Sequence, residues 1–212
     1  MKLLSFFISL VVFIGLALTF KQPAIVKYDV NILLFFEGIR TELFNHVFYL
    51  FTEIGSIKLL LPLAVLISIF LLIKKRYIES IFVMLTFWGV RGVNHLLKEW
   101  FERERPSFNS LIHAGDYSFP SGHVMNSIAF WGIVYYIFVH IIKMGLKRRR
   151  LYFCTFVTMI ILIAISRVYL GVHYFTDVVA GACAGFVFLL IDIYVYRFLL
   201  KFIRSSTLEK LR

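Results

Sequence analysis

Apolar residues fill this chain in long runs, separated by short polar or basic breaks. The runs are Leu3 to Phe20, Leu59 to Ile73, about Ile78 to Trp100, Ser121 to Ile142, Leu151 to Ile165 and Tyr174 to Leu200. Each approaches the ~20 residues that an α-helix needs to cross a bilayer, so the pattern predicts six spans. A secretory signal peptide is the rival explanation of the first run. No clear small-x-small cleavage site precedes Lys21-Gln22-Pro23, however, and a retained span is expected. Between the first two spans the pattern changes. Phe36, Ile39, Leu43, Val47, Leu50 and Ile54 recur at helical spacing, with Glu37, Arg40, Glu42 and Asn45 between them. That is the signature of a helix lying along the membrane interface. The expected fold is an all-α membrane protein: a bundle of six transmembrane helices with an interfacial amphipathic segment between helices 1 and 2. One domain is expected over residues 1–212, with a core at about 54–200.

Composition supports the membrane reading. The chain is 60% hydrophobic and 18% aromatic, with a mean hydropathy of +0.85, too apolar for a soluble domain. A net charge of +11 would fit a nucleic-acid partner, but the basic residues cluster at the ends of apolar runs, and nucleic acid is excluded. The clusters report topology instead. Lys2, Lys74 to Arg76, Lys143, Lys147 to Arg150, Arg197, Lys201, Arg204, Lys210 and Arg212 would share one side of a six-span bundle. They outnumber Lys21, Lys27, Arg40, Lys58, Lys98, Arg103, Arg105 and Arg167 on the other side. The richer side is expected in the cytoplasm, with both termini, in a multi-pass protein of the cell membrane. Cys154 and Cys183 lie inside apolar runs and read as packing residues.

Charge within an apolar run is costly and therefore points to chemistry. The third run is interrupted by Arg91, Asn94, His95 and Lys98, all on one helical stripe. Arg91 lies about 10 Å deeper than Lys98 by helical rise. His95 reads as a bundle-packing residue, with a hydrogen bond inside a site as the alternative. Lys98 and Arg105 are two turns apart, and Pro106 marks the helix end. A second patch, Pro120-Ser121-Gly122-His123, opens the fourth span, where unpaired backbone N–H groups offer an anion site. The third patch is Ser166-Arg167 followed by His173 and Asp177. A carboxylate four residues after a histidine on a helix can hold one ring nitrogen and leave the other free to attack. Simple neutralisation of Arg167 by Asp177 is the competing explanation, as are a helix cap at Ser121 and a snorkelling basic end at Lys98. All three patches fall on the outer side. Together they supply three fixed cations, a helix terminus and two histidines, which suits phosphoryl transfer without a metal. A metal site from His123, His173 and Asp177 is disfavoured by the surrounding cations. Glu53 stands at the outer start of the second span as an interfacial carboxylate or a shaper of headgroup choice. Asp192 lies too far down the last span to join the site.

Lys98-x6-Arg105-Pro106, then Pro120-Ser121-Gly122-His123, then Ser166-Arg167-x5-His173-x3-Asp177 resembles the three-part signature of the type 2 phosphatidic acid phosphatase (PAP2) superfamily. The likeness is strongest to its compact bacterial phosphatidylglycerophosphatases and undecaprenyl-pyrophosphate phosphatases. The resemblance implies that His173 is the nucleophile, forming a phosphohistidine, with Asp177 holding its ring. His123 would protonate the leaving oxygen and then help to activate water. Lys98, Arg105 and Arg167 would hold the phosphoryl oxygens, with Ser121, Gly122 and the motif residue Ser166 completing the phosphate site. No metal and no cofactor are implied, and no obligatory protein partner. The expected substrate is a membrane lipid phosphate reached from the bilayer at the extracytoplasmic face, with phosphatidylglycerophosphate favoured. An undecaprenyl-pyrophosphate phosphatase and a broad phosphatidate phosphatase remain open, as does a lipid transporter with a vestigial site.

Overall fold

The computed structural model describes residues 2–107, 109–115, 117–142 and 144–209. Among them every regular element is an α-helix: α1 (Lys2–Thr19), α2 (Pro23–Gly38), α3 (Glu42–Ile54), α4 (Ile57–Ile73), α5 (Tyr77–Phe101), α6 (Gly122–Ile142), α7 (Leu146–Tyr169) and α8 (Phe175–Glu209). Lys143, Lys210 and Arg212, which entered the orientation argument, lie outside the described residues.

Helices α5 to α8 are each long and apolar enough to cross a membrane. The pairs α1–α2 and α3–α4 meet that condition only as bent units, at 101° and 40°. The six expected spans thus correspond to four long helices and two bent pairs. Pro23 suits the first turn of α2, where a missing N–H costs nothing. From there α2 turns away from α1 by 101°. Thr41 starts α3 by accepting the Phe44 N–H at 3.3 Å. The expected apolar stripe is therefore cut between Gly38 and Thr41. Its α3 part points outward, with Leu43 70% and Leu50 61% exposed. Lipid is as apolar as leucine, so an apolar stripe in a membrane protein need not face the protein.

Helix α6 is the axis of the bundle: 61% of its span is buried, against 39% or less in α5, α7 and α8. Phe130, Ile133 and Ile137 on α6 pack with Leu60, Ala64 and Leu71 on α4, Val83 and Phe87 on α5, and Leu189 on α8. Gly181 and Gly185, a small-xxx-small pair on α8, let this helix approach α6 closely. A Cβ on Gly181 would meet the Ser121 carbonyl oxygen at 2.6 Å, and one on Gly185 the Met125 carbonyl at the same distance. Backbone contact between α6 and α8 is what brings the second and third sequence patches together.

Two helix boundaries and one side chain differ from expectation. Helix α7 begins at Leu146 and ends at Tyr169, so Ser166 and Arg167 lie in its last turn and not after it. Asn94 and Lys98 on α5 are buried, but the His95 side chain is 74% exposed, 3.9 Å from Glu99. It does not pack in the bundle, because it lies one residue past the edge of the inward stripe. Asp192 is buried, and its carboxylate is hydrogen-bonded to the Thr86 hydroxyl, joining α8 to α5 well away from the motifs.

Candidate active site

The turn between α7 and α8 presents His173. Leu170 N–H and Gly171 N–H bond back to the carbonyls of Ser166 and Val168, and Gly171 then takes a φ of +76°. Any side chain there would also strike Arg40 and the Ser110 backbone, so glycine is required. Arg40 fixes the turn from outside, donating to the Tyr169 carbonyl at 2.9 and 3.1 Å and to the Asn109 carbonyl at 2.6 Å.

His173 is 1% exposed and sits two residues before α8 begins. Arg105 Nη1 donates to the Val172 carbonyl at 2.6 Å and lies 3.2 Å from His173 Nε2. A guanidinium can only donate, so Nε2 is the acceptor nitrogen and the ring proton is on Nδ1. Nδ1 faces Asp177 Oδ2 at 3.5 Å and Ser118 Oγ at 3.3 Å. Ser118 gives its own proton to Asp177 Oδ2, which leaves its oxygen free to accept from Nδ1. The imidazole therefore has one nitrogen tied back to acceptors and its lone-pair nitrogen on the cationic side.

Asp177 is fully buried, so its charge must be matched within the protein. Arg103 Nη1 donates to its Oδ1 at 2.6 Å, and the Tyr174 N–H donates to Oδ2 at 2.9 Å. Arg103 continues to Thr176 Oγ1 at 2.8 Å and to Asp29 Oδ2 at 2.8 Å. Asp29, on α2, also accepts the Thr176 N–H at 3.0 Å and its hydroxyl at 2.5 Å. The guanidinium lies over the Tyr174 ring, 4.1 Å from its centroid. Asp177 pairs with Arg103, and the competing sequence explanation, an Asp177–Arg167 pair, is not the arrangement found. Arg167 Nη1 instead donates to the Thr52 hydroxyl on α3.

Lys98, Arg105, Gly122, His123, Arg167 and His173 all line one cavity of about 330 Å³. Asp177 stands behind His173, out of the cavity. Lys98 is 4% exposed, with Nζ donating to the Tyr117 carbonyl at 2.5 Å. Asn94 Nδ2 donates to the Pro120 carbonyl at 3.2 Å, docking the start of α6 onto α5. Arg91, Asn94, Asn126, Glu53 and Lys58 complete much of the wall. With these cations against one carboxylate, the cavity is an anion trap.

Two expected phosphate ligands are placed differently. Ser166 is fully buried, and its hydroxyl donates to the Ile163 carbonyl at 2.6 Å in its own helix, leaving no proton for a phosphoryl oxygen. Ser121 is also fully buried and off the cavity wall, and its N–H donates to the Asp177 carbonyl at 3.0 Å. Its hydroxyl has no hydrogen-bond partner among the described residues. Sequence reasoning missed Ser118, Thr52, Thr176, Asp29 and the role of Arg103. None of these stands out in the sequence: even Arg103, two residues before Arg105, sits in a stretch of alternating charge.

A positive pocket sunk into a helical membrane bundle, with one imidazole held in a defined tautomer at its wall, is the equipment of a membrane-embedded phosphatase. The sequence places it further: residues 76–201 match the model of the PAP2 superfamily, and the chain belongs to that superfamily. It is 36% identical over 147 residues to phosphatidylglycerophosphatase B of Bacillus subtilis strain 168, covering 69% of this chain and 72% of the relative. It is 26% identical over 188 residues to a lipid A 4'-phosphatase of Porphyromonas gingivalis, covering 82% and 73%. The crystal structure of a transmembrane PAP2-type phosphatidylglycerolphosphate phosphatase from Bacillus subtilis superposes with a TM-score of 0.86 at 31% identity, over 90% of this chain and 95% of that one. The LpxE structure from Aquifex aeolicus shares the fold, with a TM-score of 0.60 at 24% identity over 78% of this chain and 94% of that one.

Proposed function

We propose that this PAP2-type lipid phosphatase, one domain over residues 1–212, removes a terminal phosphate monoester from a membrane lipid at the outer face of the cell membrane. Phosphatidylglycerophosphate, the substrate class in the name of the Bacillus relative, is the favoured substrate. The observation that carries the mechanism is the placement of the His173 ring, with Nε2 toward Arg105 and the cationic cavity and Nδ1 toward Asp177 and Ser118.

Lys98, Arg105 and Arg167 hold the phosphoryl oxygens and offset the charge that builds up on them. Nε2 attacks phosphorus, the bond from phosphorus to the lipid oxygen breaks, and His123 gives that oxygen a proton. Asp177 stabilises the positive ring formed on His173, much as the carboxylate of a serine-protease triad does. His123 then takes a proton from water. The resulting oxygen displaces His173 from phosphorus, releasing phosphate and restoring both rings. The unpaired N–H groups of the first turn of α6, at Gly122 and His123, add donors without a cation.

Phosphate release by the purified protein in detergent tests the activity across phosphatidylglycerophosphate, phosphatidate and undecaprenyl pyrophosphate. His173→Ala should abolish release from every lipid. Equal release by wild type and His173→Ala would refute the enzyme reading and favour a transporter with a vestigial site. Orientation is tested at Ser110, which is exposed at the cavity end of the bundle. A Ser110→Cys protein should react with an impermeant thiol reagent on intact cells; reaction only after permeabilisation would place the site in the cytoplasm.

A further inference from the structure

A second cavity, of about 380 Å³, adjoins the first. Arg91, Asn94, Lys98 and Asn126 line both, so the two chambers share a wall. The remaining lining of the second chamber is Trp88, Gly92 and His95, from the exposed face of α5. Trp88 is 53% exposed, and a Cβ on Gly92 would meet nothing within 4 Å. The chamber therefore opens sideways, toward where lipid lies. Arg91 stands seven residues before Lys98 on α5, about 10 Å further from the loop end of the bundle by helical rise. Asn126 supplies a second, independent sign of a ligand. It is only 8% exposed, and its Oδ1 has no hydrogen-bond partner among the described residues. Buried acceptors without donors are rare, and one in the wall between two chambers marks a place for a hydroxyl.

We propose that the side chamber is a second-anion subsite, in which Arg91 receives a phosphodiester joined to the scissile phosphate through a short hydroxyl-bearing linker. Asn126 accepts the linker hydroxyl. The inference rests on the phosphatase reading above and adds the residues that choose the substrate. The direction fits a lipid: the terminal phosphate lies toward the loop end, beside Lys98, and the phosphodiester lies deeper, where the acyl chains begin. A lipid whose only anion is the scissile monoester makes no use of Arg91. A pyrophosphate makes none either, because its second phosphorus lies directly beside the first and falls to Lys98 and Arg105.

The test compares two lipids with the same acyl chains in the same detergent micelles: phosphatidylglycerophosphate, with both anions, and phosphatidate, with one. The readout is the ratio of their kcat/KM values, from which the concentration of folded enzyme cancels. Wild type should prefer the two-anion lipid. Arg91→Gln should lower the ratio about tenfold, mainly through KM, as expected for one charge-assisted contact. Arg91→Lys should restore most of it. A wild-type ratio at or below one would overturn the proposal, whatever the variants do. So would an Arg91→Gln ratio equal to wild type, whether both activities fall together or neither falls. Release of phosphate from neither lipid by wild type would instead refute the phosphatase reading itself.

Discussion

Replacing Asp29 by asparagine alters one atom that does not line the phosphate pocket, on a helix that carries none of the three motifs, yet it should slow the enzyme. Three donors converge on that carboxylate: Arg103 Nη2 at 2.8 Å, the Thr176 N–H at 3.0 Å and the Thr176 hydroxyl at 2.5 Å. Asparagine offers one oxygen and one NH₂. Whichever way the amide turns, a donor then faces a donor, and Arg103 loses one of its two buried counter-charges. A mispaired buried group costs about 1–3 kcal/mol, and a bond to a charged partner is worth about 1.5–3 kcal/mol, so a total near 3 kcal/mol is expected. For a chain of this size that is on the order of a 10 °C fall in melting temperature. Catalysis suffers because Arg103, which Asp29 and Thr176 hold in place, also pairs with Asp177. The Asp177–His173 ion-pair distance of 3.5 Å already exceeds the usual N–H···O hydrogen-bond range, so any shift of the carboxylate weakens its hold on the ring. A loss of about 1.4 kcal/mol in orienting the ring would lower kcat about tenfold. KM should hold within about twofold, since no cavity-lining cation changes. Thermal unfolding and phosphate release, both in detergent, measure the two effects. Unchanged kcat and melting would mean that α2 does not anchor the site. A raised KM at constant kcat would mean that Asp29 acts on the substrate instead.

His123→Ala should lose most turnover on lipid phosphates but keep activity on an aryl phosphate, whose leaving group needs no proton; equal loss on both would remove His123 from the acid role. Gly181→Ala puts a carbon 2.6 Å from the Ser121 carbonyl and must spread α6 from α8. A cost of about 1–3 kcal/mol is expected, and an unchanged melting temperature would show that the close approach carries no stability. EDTA should leave phosphate release intact; loss that Mg²⁺ restores would favour the metal mechanism.

The parts of the site legible in the sequence are those that break a rule of the bilayer. Lys98, Arg167, His173 and Asp177 stand out because ionisable groups in apolar runs are costly and therefore purposeful. Gly181 and Gly185 stand out by spacing, and the helix ends by their basic clusters and Pro106. Arg103 breaks no rule. In Glu102-Arg103-Glu104-Arg105 the alternating charges read as a solvated helix end, yet Arg103 is buried and Arg105 reaches His173. Asp29 breaks none either. In Lys27-Tyr28-Asp29 it looks like any interfacial carboxylate, yet it is fully buried 147 residues before its partner Thr176.

The difference follows from what each residue must do. A group that binds phosphate has to be charged whatever surrounds it, so its type and spacing are visible in one dimension. A group that orients another needs only a compatible neighbour, and the neighbour is set by which helix faces meet. Periodicity assigns faces relative to a helix axis and says nothing about which faces come together. In a membrane protein it does not even say which face is inward, as Leu43 and Leu50 show by lying exposed on the outside of the bundle. Ser166 and Ser121 show the converse. Both occupy motif positions, but Ser166 has spent its proton within its own helix and Ser121 lies off the cavity wall. A position inside a phosphate-binding motif can therefore serve the backbone that shapes the pocket, and only the direction of its donor separates the two roles.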